Sequence, residues 1–262
     1  MNKKLIFLLV IIGLLIAFFV FGGQTKNSPS EDGISKNEKY EYEGVSFDYS
    51  YIAENAHQKL VKRDLSITQM PSWTIPPEHI KFYFNEDEHP KYVDPHLAQL
   101  LIFSRNEYDE ILSESELYST AISDLSQLLS SKLIGFDDEI PLLPVFNAGQ
   151  VLKAKIEYLD FDGGKGIRFI TYYAQEVNNI TNDGVFYTFQ GLSDDGEKYI
   201  SFFHPIHIEI LPDEFLDYRT FDPDEYEEYL MRTTKGINDS KVDEFDPAIE
   251  SLDNFIKSLK ID

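Results

Sequence analysis

The 262-residue chain contains no cysteine. That excludes disulfides, cysteine-ligated zinc, iron–sulfur clusters and thiol catalysis. It also excludes attachment to a membrane through a lipidated N-terminal cysteine. Basic residues are scarce: 23 Lys and Arg face 46 Asp and Glu, for a formal net charge of −23. A field of that sign repels phosphate backbones, so no nucleic-acid partner is expected. It also opposes lying flat on an anionic lipid surface. Cations and basic partners are compatible with it, and solubility alone accounts for such an excess. The common hydrolase signatures G-x-S-x-G, S-x-x-K and H-E-x-x-H do not occur, so the hydrolase classes that carry them lack support.

Acidic residues are missing from the N-terminus in particular, the first being Glu31. Two lysines, Lys3 and Lys4, precede the apolar run Leu5–Phe21. As a helix its 17 residues would be about 26 Å long at ~1.5 Å per residue. Gly22 and Gly23 bring it close to the ~30 Å core of a bilayer. Residues 1–23 are therefore expected to form an uncleaved transmembrane signal anchor, with cleavage near Val20-Phe21-Gly22 as the alternative. The lysines keep the N-terminus cytoplasmic, so the acidic remainder would lie outside the cell membrane. Residues 24–38, with Ser, Asn, Gly and Pro and mixed charges, read as a flexible linker.

Hydrophobic residues make up 42% of the chain, enough for residues 39–262 to build a real core. Aromatic and polar residues alternate in Tyr40–Tyr51, with a phase change at Gly44 that marks a turn or bulge. His79–Phe84 and Ala98–Phe103 are strand candidates. A capping box, Ser113 with Glu116, predicts a helix running to about Lys132 with Leu117, Ala121, Leu125 and Leu128 on one face. Val151–Leu159 alternates, placing Leu152, Ala154, Ile156 and Tyr158 together. Ile167–Ala174, Val185–Leu192 and Lys198–Ile206 follow it as a meander of hairpins. Asp222-Pro223 and Asp246-Pro247 each open a helix, the second with a stripe of Ile249, Leu252, Phe255, Ile256 and Leu259. The prediction is an α+β domain: an antiparallel sheet (hairpin meander) with helices packed on it, preceded by one transmembrane helix.

Leu143–Val151, Tyr158–Phe161, Arg168–Gln175 and Tyr187–Gly196 read L-P-V-F-N-A-G-Q-V, Y-L-D-F, R-F-I-T-Y-Y-A-Q and Y-T-F-Q-G-L-S-D-D-G. In these segments the chain resembles an uncharacterised family of bacterial envelope proteins, over most of Tyr42–Pro212. The resemblance implies an exported domain and no particular reaction. Residues 213–262 fall outside it and read as a C-terminal helical extension. The opening strand is also similar to that of PsbP-like domains, which implies only a related element order.

Five stretches hold candidate chemistry. Glu86, Asp87, Glu88, His89, Asp94 and His96 share one loop and could hold a divalent metal or an acid/base pair, although a solvated loop has the same composition. Asp160–Gly166 has the look of a calcium or phosphate loop, but it lacks the required spacing and reads as a hairpin turn. His204 and His207 point to opposite faces of a strand and cannot easily share a metal. Tyrosines and carboxylates of Phe215–Leu230 could serve a sugar or peptide, or simply form a capped acidic helix. The aromatic arms of Phe186–Pro205 read as the core of a sheet covered on both sides, the alternative being an aromatic ligand groove. No residue is assigned as catalytic, cofactor-binding or metal-binding. The expected function is that of a membrane-anchored extracytoplasmic domain that binds or scaffolds a protein or small-molecule partner without catalysis. The alternatives are an envelope hydrolase acting on sugar or peptide, and a solute-binding domain with an aromatic pocket.

Overall fold

The computed structural model describes residues 39–66, 71–86, 88–90, 92–135, 138–214 and 222–262. The expected anchor and linker lie outside them. Among the described residues no helix is long and apolar enough to cross a membrane.

The elements run β1 (Lys39–Tyr42), β2 (Val45–Asp48), β3 (Ala56–Val61), β4 (His79–Phe84), β5 (Gln99–Ser104), α1 (Arg105–Leu112), α2 (Ala121–Ser131), β6 (Gly149–Phe161), β7 (Gly164–Ala174), β8 (Val185–Ser193), β9 (Lys198–Pro205), β10 (His207–Ile208), α3 (Pro223–Asp239), β11 (Phe245–Asp246), α4 (Ile249–Ser258) and β12 (Lys260–Ile261). Seven strands form one sheet in the order β3-β4-β5-β9-β8-β7-β6, every neighbouring pair antiparallel. Two small sheets, β1-β2-β12 and β10-β11, accompany it. The predicted α+β class and the β6–β9 meander are both present.

The large sheet is covered on both faces. On one face Tyr187, Phe189 and Phe202 pack with Phe47, Phe82 and Phe84 and with Leu252, Phe255 and Ile256 of α4. On the other, Phe186, Phe203 and Tyr199 pack with Tyr108 of α1, Leu125 and Leu129 of α2, and Ile140, Leu142 and Leu143 of the segment before β6. Coverage of both faces explains why β8 is buried along its whole length and β9 along all but its ends, instead of alternating. Gly166 of β7 makes room for this packing: a Cβ there would come within 2.3 Å of the Phe189 ring. The ring lies over bare backbone that any other residue would occupy.

The first helix region differs from expectation. Ser113 does not start a helix; it caps the C-terminus of α1. Two residues on, the Ser115 hydroxyl accepts from the backbone N–H groups of Leu117 (3.2 Å) and Tyr118 (3.3 Å), a local turn that competes with helical bonding. α2 begins only at Ala121 and buries Ile122, Leu125 and Leu129, leaving Leu117 exposed. α1 itself follows Ser104, whose hydroxyl accepts from Glu107 N–H at 3.4 Å. Strand β3 is likewise an element that the sequence pattern does not announce: it is a sheet edge with an irregular burial pattern.

β6 carries a second correction. Its register against β7 shifts between Ala154 and Glu157, at Lys155, whose φ is +50°. One extra residue at such a bulge moves all later side chains to the other face. Leu152 and Ala154 are buried as expected, but Ile156 is exposed, and Leu159 and Phe161 take up the buried side. The end of α3 holds the bulge: Lys155 N–H donates to Asn238 Oδ1 (2.7 Å), and Lys155 Nζ donates to the carbonyls of Asn238 (3.0 Å) and Ser240 (2.7 Å).

Residues 222–262, set apart in sequence as an extension, supply one wall of the core. α4 begins at Ile249, slightly later than the Asp246-Pro247 signal, because Phe245 and Asp246 are paired with β10. Its Phe255 is fully buried, with ring centroids 4.8 Å from Phe202 and 5.4 Å from both Phe47 and Phe84. Phe255→Ala and Phe189→Ala should each destabilise the fold by ~3–5 kcal/mol through an unfilled cavity. Chemical denaturation of the two variants checks this. A melting temperature unchanged by Phe189→Ala would show that its ring is not core.

Candidate functional site

The two aromatic arms of Phe186–Pro205 are packed interior, joined by an exposed turn. The polar side chains around Gln190 are fully employed there. Gln190 Oε1 accepts from Leu143 N–H (3.2 Å) and the Tyr199 hydroxyl (2.7 Å), and its Nε2 donates to Thr188 Oγ1 (2.8 Å) and Ser201 Oγ (2.9 Å). Ser201 in turn donates to Leu143 O at 2.6 Å. This network clips the segment around Leu143 onto the sheet. All four hydrogen-bonding positions of the amide are filled, so Gln190 has none left for a ligand.

The acidic and histidine loop between β4 and β5 roofs the β4 side of the sheet. Asp87 lies outside the described residues. Asp94 Oδ1 accepts from His96 N–H at 2.9 Å, an Asx turn. The His96 ring meets Phe186 edge-on at 5.8 Å, and His89 meets Tyr83 edge-on at 5.4 Å. Among the described residues no group of three His, Asp or Glu side chains is placed to hold a metal ion. The roof is tied down by Lys81, 2% exposed, whose Nζ donates to the carbonyls of Pro90 (3.0 Å) and Tyr92 (2.8 Å). Burial lowers its pKa to about 8. His79, on the same strand, hydrogen-bonds Pro77 O through Nδ1 at 2.9 Å, and its buried Nε2 has no partner. Burial lowers its pKa to about 4, and the pKa values of His89 and His96 are lowered by burial too. With that value the His79 imidazole is neutral at pH 7, and among the described residues none of the three rings hydrogen-bonds a carboxylate.

The remaining sequence candidates separate in space and role. Asp160–Gly166 holds a two-residue hairpin turn, Asp162-Gly163, flanked by the pair Phe161 and Gly164. His204 is buried in β9, its Nδ1 2.6 Å from Pro205 O, whereas His207 is exposed with Nε2 3.3 Å from Asp213 Oδ1. Residues 215–221 lie outside the described residues. Within the rest of Phe215–Leu230, Asp222 Oδ1 accepts from Glu225 N–H (2.9 Å), the predicted cap. The Tyr226 hydroxyl donates to Asn178 O (3.0 Å), and that of Tyr229 accepts from Ile180 N–H (2.7 Å). Both tyrosines fasten α3 to the loop between β7 and β8.

Two groupings have no signal in the sequence. Buried Arg168 donates from Nε and Nη2 to both oxygens of Asp253 (2.9 and 3.0 Å) and from Nη2 to Glu157 Oε2 (2.8 Å). The Tyr187 hydroxyl also donates to Asp253 Oδ1 at 2.9 Å, and burial raises its pKa well above the usual value. This cluster is closed on itself and joins α4 to the sheet. The second grouping is open to solvent. A cleft of about 210 Å³ lies where α2 meets the start of α1 and the ends of the β6–β7 and β8–β9 hairpins. Leu129 and Leu192 form its apolar part, and Arg105, Lys165, Ser126, Ser130 and Asp194 bring polar groups. Arg105 Nη1 donates to Gly196 O at 3.2 Å. Gly196 has φ +73°, and a Cβ there would sit 3.0 Å from Arg105 Nη1, so glycine suits both the turn and the neighbouring guanidinium. Arg105 and Lys165 are far apart in sequence. The pairing of Lys165 with Leu192 and the 2.8 Å bond from Arg105 N–H to Glu197 O bring them to one opening.

Compared with models of protein families, with curated proteins and with solved structures, the chain matches none.

The neutral, buried His79 has a thermodynamic consequence. Its pKa falls from 6.5 to about 4 on folding, so the unfolded chain binds the extra proton between those values. The contribution of neutral His79 is complete above pH 6.5 and is lost as the pH falls toward 4, by about 3 kcal/mol at most. Urea denaturation from pH 7 to pH 4 should show this loss, and His79→Phe should flatten it. An identical pH slope in the variant would show that His79 does not carry the effect.

Proposed function

We propose that the protein is a membrane-anchored extracytoplasmic domain that binds or scaffolds a partner and performs no catalysis. The observation that carries this reading is the order of segments. A 17-residue apolar run behind Lys3 and Lys4 is followed by a linker and then by a strongly acidic chain. The first strand of the fold begins at Lys39, where the linker composition ends. Side chains with candidate chemistry are occupied in holding the fold: Lys81 the roof loop, Tyr226 and Tyr229 helix α3, Gln190 the segment at Leu143. An aromatic pocket loses its support because the rings that would line it are buried between two covering layers. The open polar cleft beside Arg105 favours a second reading, the binding of a small solute.

Fractionation tests the proposal. In bacteria the full chain should remain with carbonate-washed membranes, and externally added protease should degrade the folded part in cells whose wall has been removed. A chain starting at Lys39 should be recovered in the soluble fraction. A soluble mature form beginning near Gly23 would show that the segment is cleaved, and protection from external protease would overturn the orientation.

A further inference from the structure

We propose that the cleft formed by α2, Arg105 and the hairpin end at Lys165 binds the phosphate ester of a small polyol. This inference rests on the binding reading of the protein and not on its attachment to a membrane.

The cleft brings two cations to one opening. Several cations of the fold are matched by carboxylates or spent on carbonyls: Lys62 with Glu78, Lys235 with Asp239, Lys260 with Asp262 and Arg168 with Asp253, while Lys81 and Lys155 hold backbone oxygens. Arg105 and Lys165 have no ion-pair partner among the described residues, although acidic residues outnumber basic ones 46 to 23. The guanidinium makes one side-chain hydrogen bond, to Gly196 O. That contact holds one edge of the fork and leaves its other N–H donors uncommitted. Among the described residues Lys165 Nζ makes no hydrogen bond, and the Ser126 hydroxyl has no partner either. A fixed guanidinium, a mobile ammonium and a hydroxyl donor around one opening suit a tetrahedral oxyanion with several acceptor oxygens.

The rest of the cleft defines what the anion is attached to. At about 210 Å³ it offers more room than a bare phosphate uses. Leu129 and Leu192 offer apolar surface to a short carbon chain. Asp194 discourages a second negative group and accepts hydrogen bonds from hydroxyls. A phosphate on a short, hydroxylated carbon chain satisfies all of these features. It could arrive as a soluble ester or as the headgroup of a lipid.

Calorimetric titration of the full-length protein in detergent, at constant ionic strength, tests the proposal with sn-glycerol 3-phosphate, inorganic phosphate and glycerol. Glycerol 3-phosphate should bind saturably at one site, inorganic phosphate more weakly, and glycerol not at all. Arg105→Gln and Lys165→Gln should each weaken glycerol 3-phosphate by about tenfold. Asp194→Asn should strengthen inorganic phosphate and narrow the preference for the ester. Should Arg105→Gln fail to fold, Lys165→Gln carries the test, since its side chain bonds to nothing among the described residues. Nanodiscs containing phosphatidylglycerol, competed with free glycerol 3-phosphate, separate a headgroup from a soluble source, and binding of either keeps the chemistry. No saturable heat with the wild-type protein, or equal affinity in Lys165→Gln, overturns it. That failure would leave the membrane fractionation result untouched, so the two readings fall separately.

Discussion

The paired contact of Arg168 with Asp253 is the constraint around which the domain closes. Neither side chain reaches water to any extent, with 7% and 8% of their side-chain surfaces exposed. Desolvation of that kind works against both charges, and it is offset only by good geometry and full hydrogen bonding. Here the guanidinium spans both carboxylate oxygens, the Tyr187 hydroxyl adds a third bond to the acid, and Glu157 and the Lys155 carbonyl take up further N–H groups. The contact specifies a position. It sets α4 at one place on strands β7 and β8, and the apolar stripe of that helix then meets the aromatic side of the sheet.

The bulge in β6 belongs to the same arrangement. Without the extra residue Glu157 would fall on the wrong side of the strand; with it, Glu157 stands opposite Arg168 in the β6–β7 register. The backbone strain at Lys155 is met from two directions. Its amide and ammonium bind the end of α3, and its carbonyl accepts from Arg168. A local irregularity, two helices and the central strands are thus joined through neighbouring residues, which is how a sheet edge comes to be covered where it would otherwise invite pairing with another chain.

Much of this could be read from the sequence wherever one local rule acted alone. The hairpins at Asp162-Gly163 and Asp195-Gly196 follow from turn chemistry, the Asp222 cap from its side chain, and the buried face of α4 from its spacing. Legibility failed where two local rules competed. Ser104 with Glu107 and Ser113 with Glu116 are the same signal, and only packing of Tyr108, Ile111 and Leu112 under the first selects it. The bulge at Lys155 is invisible because clean alternation continues through it in the sequence. The Arg168 cluster and the Arg105–Lys165 cleft are products of tertiary placement, with partners 85 positions apart in the first and 91 in the second. For the cleft the composition was even misleading, since a large acidic excess hides two uncompensated cations.

One pairing has a consequence for how the molecule is made. The last strand, β12, joins β2 near the start of the domain, with Lys260 opposite Ser46 and Ile261 opposite Val45. The layer that covers the aromatic face therefore combines residues made first with residues made some two hundred positions later. Until α4 and β12 emerge, that face and the β1–β2 hairpin stand open to solvent, and closing so long a loop is slow. During synthesis the chain presents a wide aromatic surface until α4 and β12 have been made. In that interval its crowd of carboxylates has a second use, keeping unfinished copies apart by charge.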